Sequence, residues 1–187
     1  MKKIVLFASG NGTNAEEIIK YFKKSSLGTV AAVLTNNSNA KVVEKAKKHK
    51  VTTLIFNRTE LNEEFVLNEL NNIKPDLIVL AGFLLKFPEH IIEAYPNKII
   101  NIHPALLPSY GGKGMYGMNV HNAIFENKEA ETGITIHYVT PNYDEGAIIF
   151  QKSVTISDCK TPEEIAEKVH RLEHKYFPEV ISDLLSR

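Results

Sequence analysis

An amide and an imidazole lie two positions apart at the end of an apolar segment, Ile99-Ile100-Asn101-Ile102-His103. Side chains two positions apart on a strand project from the same face. Pro104 cannot continue a sheet, so the strand is expected to end at His103, at the carboxyl edge where open α/β sheets bind ligands. An amide N–H that stabilises an oxyanion, beside an imidazole that transfers a proton, suits acyl-group chemistry. The alternative is a polar strand end whose two side chains are satisfied within the fold.

The rest of the sequence alternates between strand and helix patterns. Apolar runs predict strands at 4–8, 30–34, 52–56, 77–81 and 99–103. Apolar residues at helical spacing predict helices between them, the last three at 40–49, 62–73 and 88–94. Repeated units of this kind predict an α/β fold with a doubly wound, mostly parallel, Rossmann-like sheet and right-handed crossovers. Residues 134–140 and 147–153 predict a late antiparallel strand pair that extends one edge of the sheet.

The last helix has the clearest start signal, Thr161-Pro162-Glu163-Glu164, which combines an N-cap, a first-turn proline and a capping-box glutamate. Pro178 is expected to bend or divide this helix. Glu173 borders its apolar side and therefore needs a partner, which is either a structural Arg or Lys or a ligand group. The buried stripe is predicted to contain Ile165, Val169, Leu172, Tyr176, Val180 and Leu184.

The turn after the first strand, Gly10-Asn11-Gly12-Thr13-Asn14-Ala15, fits the G-x-G-x-x-A form of the dinucleotide fingerprint. Glycines allow close backbone approach, and the helix that follows points its amino terminus at an anion. The fingerprint also needs an acidic residue after the second strand, where this chain has Thr35-Asn36-Asn37. We therefore expect a single phosphate rather than a dinucleotide. A compatible alternative is a tight turn in which Thr13 caps the helix through a box with Glu16.

A carboxylate for the imidazole is available at Asp144, in the turn between the two late strands. Alone it would be a turn former, but beside His103 it is expected to orient the ring and to raise the pKa of the ring. His137 is expected to be a satisfied structural histidine. Four glycines among residues 111–117 predict a movable segment, either a lid over substrate or a flexible crossing. His121 follows it and could contact substrate, although nothing in its spacing requires this.

Composition excludes several classes of function. The 187 residues carry 22 basic and 22 acidic side chains, so no global charge favours nucleic acid or an anionic membrane. The apolar run at the amino terminus breaks at Ser9-Gly10 and is too short for a secretory or membrane segment. Cys159 is the only cysteine, which favours a cytoplasmic setting without disulfides or thiolate metal sites. The histidines lack metal-ligand spacing, and nucleophile-elbow and Walker patterns are missing as well.

Taken together, the motifs resemble the phosphoribosylglycinamide formyltransferases, the folate-dependent transformylases of purine synthesis in the formyltransferase superfamily. The resemblance extends over essentially the whole chain. It is carried by Ser9-Gly10-Asn11-Gly12-Thr13-Asn14, Leu80-Ala81-Gly82-Phe83, Asn101-Ile102-His103-Pro104-Ala105-Leu106-Leu107-Pro108, and Gly133-Ile134-Thr135-Ile136-His137-Tyr138-Val139 with Asp144-Glu145-Gly146.

The resemblance implies a formyltransferase fold in one domain, residues 1–187, with a phosphate-binding N-terminal half and a folate-binding C-terminal half. It implies transfer of the formyl group of 10-formyltetrahydrofolate, a co-substrate, to the amine of glycinamide ribonucleotide without a metal. The implied catalytic set is Asn101, His103 and Asp144. The implied substrate contacts are Gly12, Thr13 and Asn14 for the phosphate and Glu173 for the glycinamide portion. The implied folate contacts are Leu84, Leu85, Lys86, Phe87, Thr140, Pro141, Asn142 and Tyr143.

Two segments depart from the family pattern. Leu84-Leu85, followed by Lys86, stands where many members carry a methionine-arginine pair, which affects binding of the pterin and the glutamate tail. Residues 111–117 also differ from the shorter segment of many members.

Three alternatives remain open from the sequence. A methionyl-tRNA formyltransferase is expected to add an RNA-binding domain, and a formyltetrahydrofolate hydrolase an amino-terminal regulatory domain. The first strand begins at Ile4 and the chain ends soon after its last helix, which favours neither. The third alternative is a non-catalytic nucleotide-binding or sensor domain. The expected partners are two small-molecule substrates, with no nucleic acid or membrane, for a monomer or homodimer.

Overall fold

A computed structural model describes residues 1–187 and contains one seven-stranded sheet in the order β3-β2-β1-β4-β5-β6-β7. The strands are β1 (Lys2–Phe7), β2 (Gly28–Thr35), β3 (Thr52–Ile55), β4 (Leu77–Leu80), β5 (Ile99–His103), β6 (Glu131–Tyr138) and β7 (Ile148–Thr155). The pairs among β1 to β5 are parallel. Strands β6 and β7 are added antiparallel. The predicted doubly wound, mostly parallel sheet with a late antiparallel extension is confirmed.

Seven helices cover the two faces of this sheet. They are α1 (Thr13–Phe22), α2 (Lys41–Lys48), α3 (Arg58–Asn62), α4 (Glu64–Ile73), α5 (Glu89–Ala94), α6 (Met118–Glu126) and α7 (Pro162–Ser186). Alternate residues of β1 enter two separate cores, because successive strand side chains point to opposite faces. Ile4 and Leu6 pack with residues of α1, α2, α6 and α7. Val5 and Phe7 pack with residues of α3, α4 and α5.

The chain order creates a crevice beside β1. Strand β1 lies between β2 and β4, so the chain first moves to one side of β1 and later returns to the other side. Such a switch point in strand order leaves a crevice outside the carboxyl ends of the strands, where open α/β sheets bind ligands. The loop after β1 and the ends of β4 and β5 meet there.

The helices differ from the predictions in some local details. The helix predicted at 62–73 is α4, and a short helix that was not predicted, α3, precedes it because Asn57 and Glu60 form a capping box. Pro178 does not divide α7, which continues through it with Phe177 and Pro178 both buried in the core. The buried stripe of α7 is also displaced, since the predicted Leu172, Tyr176 and Leu184 are only partly buried. The residues buried instead are Ala166, Glu173, Phe177, Pro178, Ile181 and Leu185.

Candidate active site

One cleft of about 660 Å³ opens at the switch point beside β1. Its walls include residues 10–14, called the phosphate loop here because they are predicted to bind a phosphate, and the glycine segment (residues 111–117). The segment after β4, the end of β5, the turn before β7 and part of α7 complete them. All the residues predicted for catalysis, phosphate binding and folate binding line this cleft, as does Glu173. The cleft therefore draws on both halves of the chain.

Asn101 projects into the cleft from the end of β5. Its amide nitrogen Nδ2 donates to His137 Nε2 at 3.1 Å, and His137 Nδ1 lies 2.9 Å from the carbonyl oxygen of Tyr138. A neutral His137 therefore donates through Nδ1 and accepts through Nε2. Because an amide carries two N–H donors, one remains for a ligand oxygen.

His137 is a site residue that the sequence reasoning assigned to structure alone. Besides its contact with Asn101, its Nε2 lies 3.5 Å from Asp144 Oδ1. In the antiparallel pairing of β5 with β6, His137 is directly opposite Asn101. Only this strand register could have identified His137 as a site residue, and the register depends on pairing between distant parts of the chain.

His103 is almost fully buried at the floor of the cleft, 3% exposed. Its Nε2–H donates to the carbonyl oxygen of Tyr110 at 2.7 Å, and its Nδ1 lies 3.6 Å from Asp144 Oδ2. The second distance is too long for a hydrogen bond but places the carboxylate beside the free ring nitrogen. Burial lowers the pKa of His103 below its usual 6.5, even though the charge of Asp144 acts to raise it. The expectation that the pKa of this ring is raised is therefore wrong, because desolvation exceeds the attraction of the carboxylate.

Asp144 joins the two histidines to the glycine segment. Its Oδ2 accepts the Gly112 N–H at 3.0 Å. Burial raises the pKa of Asp144, but the neighbouring His137 and His103 rings and the Gly112 N–H together bring that pKa below its usual 3.8. The carboxyl group is therefore ionised at neutral pH. The turn that carries Asp144 lies so close to β6 that a β-carbon at Gly146 would be 1.7 Å from the carbonyl oxygen of Tyr138.

At the phosphate loop, the backbone N–H groups at the start of α1 are not capped by any side chain. Gly12 is the N-cap of α1 with φ of 64°, and no side chain satisfies the first N–H groups of the helix. The predicted cap by Thr13 is wrong, because Thr13 is already inside the helix. The partner proposed for that cap, Glu16, instead contacts His49 at 3.2 Å and Lys45 at 3.6 Å. Unsatisfied N–H groups at a helix amino terminus are suited to an anion.

Replacing Gly12 by alanine is expected to weaken binding of a phosphate-bearing ligand by about tenfold or more. A β-carbon there would lie 2.3 Å from Val42 Cγ2, and φ of 64° strains any L side chain. Displacing the loop costs about 1–3 kcal/mol. Titration calorimetry with ribose 5-phosphate measures the effect. Gly10→Ala is the matched control, since nothing lies within 4 Å of a β-carbon there. Equal affinities for both variants would contradict this assignment of the loop.

Glu173 has its partner in the phosphate loop and not in a structural Arg or Lys. The residue is 5% exposed, and its Oε2 accepts from Asn14 Nδ2 at 2.9 Å. Burial raises the pKa of Glu173 above its usual 4.5. Asn14 Oδ1 is buried without a hydrogen-bond partner. This acceptor and the Glu173 carboxyl group remain available to hydroxyl or amide donors of a ligand.

Two further histidines line the cleft next to Glu173. His121 on α6 is buried, its Nδ1 has no hydrogen-bond partner, and burial lowers its pKa to about 4. Its ring meets the ring of His170 edge to face, with centroids 6.4 Å apart. His170 was not predicted as a site residue. Its position three residues before Glu173 puts both side chains on one side of α7 and could have indicated that it lines the cleft.

The segment after β4 is held by aromatic packing and presents both apolar and charged side chains to the cleft. Phe83 and Phe87 pack edge to face against Phe7, with ring centroids 5.4 and 5.1 Å from it. Phe87 therefore anchors the segment from the core side. Leu84, which is 52% exposed, and the exposed Lys86 line the cleft.

A family model described as "Formyl transferase" matches residues 2–181. The chain belongs to the formyl transferase family. The family prediction made from the motifs is thereby confirmed, together with the fold that it implied.

Relatives within the formyl transferase family carry one recurrent name. The chain is 37% identical over 191 residues to "Phosphoribosylglycinamide formyltransferase" of Bacillus subtilis, covering 99% of this chain and 95% of the relative. It is 36% identical over 187 residues to the chloroplastic protein of that name from Arabidopsis thaliana, covering 96% of this chain. The chain spans 64% of the Arabidopsis protein and 61% of the Vigna unguiculata one.

Solved structures of formyl transferases have the same fold. Glycinamide ribonucleotide transformylase 1 from Geobacillus kaustophilus superposes with a TM-score of 0.90 at 34% identity, covering 99% of each chain. The phosphoribosylglycinamide formyltransferase from Coxiella burnetii, in complex with CHES, gives a TM-score of 0.89 at 35% identity, over 99% of this chain and 87% of that one. In the present structure no His, Cys, Asp and Glu side chains form a group of three or more that could hold a metal ion. No helix is both long and apolar enough to cross a bilayer.

Proposed function

We propose that the chain transfers the formyl group of 10-formyltetrahydrofolate to the amine of glycinamide ribonucleotide, a step of de novo purine biosynthesis. One observation carries the proposal. A single cleft joins an uncapped helix amino terminus, suited to a phosphate, to an amide, an imidazole and a carboxylate suited to acyl transfer. The names of the bacterial and plant relatives support this substrate pair.

The cleft offers distinct surfaces for the two substrates. Its volume of about 660 Å³ lies within the roughly 300–1,000 Å³ of small-molecule sites. The ribonucleotide phosphate would lie at Gly12, Thr13 and Asn14, with Glu173 contacting the glycinamide portion. The exposed apolar groups of Leu84 and Tyr143 suit a flat ring system. The folate would lie between residues 84–87 and residues 140–143, with Lys86 positioned for a carboxylate.

The folate supplies a formyl group attached to a nitrogen that leaves after the new bond has formed. The free amide N–H of Asn101 donates to the formyl oxygen, whose negative charge grows as the amine attacks. Because its Nε2–H is held by Tyr110, His103 takes up at Nδ1, beside Asp144, the proton that the attacking amine loses. Asp144 balances the charge of the protonated ring, and the pair then returns the proton to the departing nitrogen. Holding both substrates in one cleft removes much of the entropic barrier.

The depressed pKa of His103 changes one part of the mechanism expected from sequence. A ring whose pKa is lowered acts first as a proton acceptor. It becomes charged as the oxyanion develops nearby, because a negative charge favours the protonated ring. Protonated His103 then stabilises the oxyanion together with Asn101.

The remaining expectations are part of the same proposal. Residues 1–187 act as one domain on two small-molecule substrates, without nucleic acid or membrane. The single cysteine fits the cytoplasmic setting. The protein is a monomer or a homodimer.

A deformylation assay tests the proposed function against its alternatives. Purified protein is mixed with 10-formyltetrahydrofolate, and loss of the formyl group is followed by absorbance with and without glycinamide ribonucleotide. We expect turnover that requires the amine. Release of formate without the amine supports the hydrolase, and formylation of methionyl-tRNA supports the tRNA enzyme. Binding of ribose 5-phosphate without any turnover supports the sensor domain.

A further inference from the structure

A concentrated basic surface lies on α1 and α2 of a chain that has no net charge. We use the name basic surface for residues 20–24 and 41–50. All but one of its lysines are exposed, the exception being the half-buried Lys45, and the proposed reaction uses none of them. The only carboxylate within it is that of Glu44. Its lysines are Lys20, Lys23, Lys24, Lys41, Lys45, Lys47, Lys48 and Lys50.

This surface begins directly against the phosphate loop. The Val42 N–H, at the start of α2, donates to the carbonyl oxygen of Gly10 at 3.2 Å. The Val42 side chain also fills the space that a β-carbon at Gly12 would need. Since α2 rises about 1.5 Å per residue, its eight residues extend about 12 Å from the loop. That length is comparable to the Debye length of about 8–10 Å at physiological salt, so the lysine charges act on an anion at the loop.

Two carboxylates on α1 adjoin the basic surface, and lysines contact both of them. Glu17 lies 2.8 Å from Lys20. Glu16 lies in the first turn of α1 and contacts Lys45 at 3.6 Å, His49 at 3.2 Å, and Lys20 and Lys48 at 4.0 Å each. Burial raises the pKa of Glu16, but the His49 hydrogen bond and the lysines bring that pKa below its usual 4.5, so Glu16 is ionised. The lysines of the basic surface outnumber Glu16, Glu17 and Glu44, which leaves an excess of positive charge beside the phosphate loop.

We propose that the basic surface collects phosphomonoester dianions from solution and directs them to the phosphate loop. It acts on association and not on the chemical step, because its lysines lie outside the cleft that holds the reacting groups. Fields of this kind raise association rates by about 10-fold to 1,000-fold. This inference rests on the proposed function only in naming the phosphorylated amine as the natural ligand.

A charge-reversal pair tests the surface. Lys41 and Lys47 are exposed and form no ion pair in the structure, so Lys41→Glu with Lys47→Glu should leave the fold intact. Stopped-flow tyrosine fluorescence measures the association rate constants of ribose 5-phosphate and of glycinamide ribonucleotide. At low ionic strength we expect a decrease of about tenfold for both ligands. In about 1 M salt, where the Debye length is about 3 Å, the difference should disappear. Turnover at saturating substrate should not change.

Two further variants decide whether location or net charge matters. Lys74→Glu with Lys98→Glu makes the same charge change next to the amino-terminal ends of β4 and β5, at the sheet edge opposite the cleft, and should have little effect. Glu16→Gln removes the repelling carboxylate and should raise the association rate. An equal decrease in both double variants, no decrease at low salt, or a decrease that persists in high salt would overturn the proposal. Ribose 5-phosphate needs no turnover, so this test stays valid if the deformylation assay fails.

Discussion

Replacing Asn101 by alanine is expected to lower turnover by about 100-fold or more, with little change in the affinity for ribose 5-phosphate. The variant removes the N–H that the proposed mechanism places against the formyl oxygen but leaves the phosphate loop untouched. A loss of this size corresponds to about 2.7 kcal/mol or more of transition-state stabilisation. Single-turnover rates at saturating concentrations of both substrates measure it directly, and calorimetry gives the phosphate affinity separately.

A double-mutant cycle separates donation to the oxyanion from a structural role. Asn101 also contacts His137 at 3.1 Å, so the variant could act by displacing that ring. If Asn101 acted only through His137, His137→Ala would reproduce the whole loss and the double variant would lose nothing more. We expect Asn101→Ala to cost much more than His137→Ala. Wild-type turnover in Asn101→Ala would remove Asn101 from the mechanism.

Replacing Asp144 by asparagine is expected to lower kcat/KM by about 100-fold or more and to change its pH dependence. The carboxylate lies beside both His103 and His137. In the proposed mechanism it balances the charge of the ring that accepts the proton. Because its charge raises the pKa of His103, its loss must lower that pKa further. A neutral ring is needed to accept the proton, so activity rises with pH through the pKa of His103. In the variant this rise should occur at a lower pH than in the wild type, towards a much lower plateau.

The neighbouring glutamate gives a matched control for this experiment. Glu145→Gln neutralises an exposed carboxylate in the same turn that makes no contact with His103 or His137. It should leave both the plateau and the pH profile close to those of the wild type. A shift of the Asp144→Asn profile to higher pH would show that the carboxylate does not support the charged ring.

Strand β5 shows how much of the candidate site the local sequence pattern predicts. An apolar run that ends in Asn-x-His-Pro predicts a strand, its end and the common face of two side chains, because backbone geometry alone determines these features. The alternation of strands and helices predicts a parallel sheet, and that sheet puts Asn101 and His103 at the carboxyl edge. The pairing of Asp144 with this ring was expected from the need of an imidazole for a carboxylate and from the family resemblance, since no local pattern around a turn carboxylate indicates its partner.

Where local pattern competed with tertiary contacts, the tertiary contacts prevailed. Thr13 followed by Glu16 has the spacing of a capping box, but three lysines of α1 and α2 and His49, the residue after α2, contact Glu16 instead. Pro178 was expected to bend or divide α7, and the helix is not divided there. Glu173 was recognised as a buried carboxyl group in need of a partner, yet only the fold shows that Asn14 is that partner.

The sequence by itself determined the sheet class and the family, and it predicted the phosphate loop and the reacting side chains. These features depend on residue type and on spacing along the chain, which are local quantities. The tertiary structure decided that His137 faces Asn101, that the pKa of His103 is lowered, and that α2 places its lysines beside the phosphate loop. Strand register, desolvation and the distances between charges arise only when distant segments pack together.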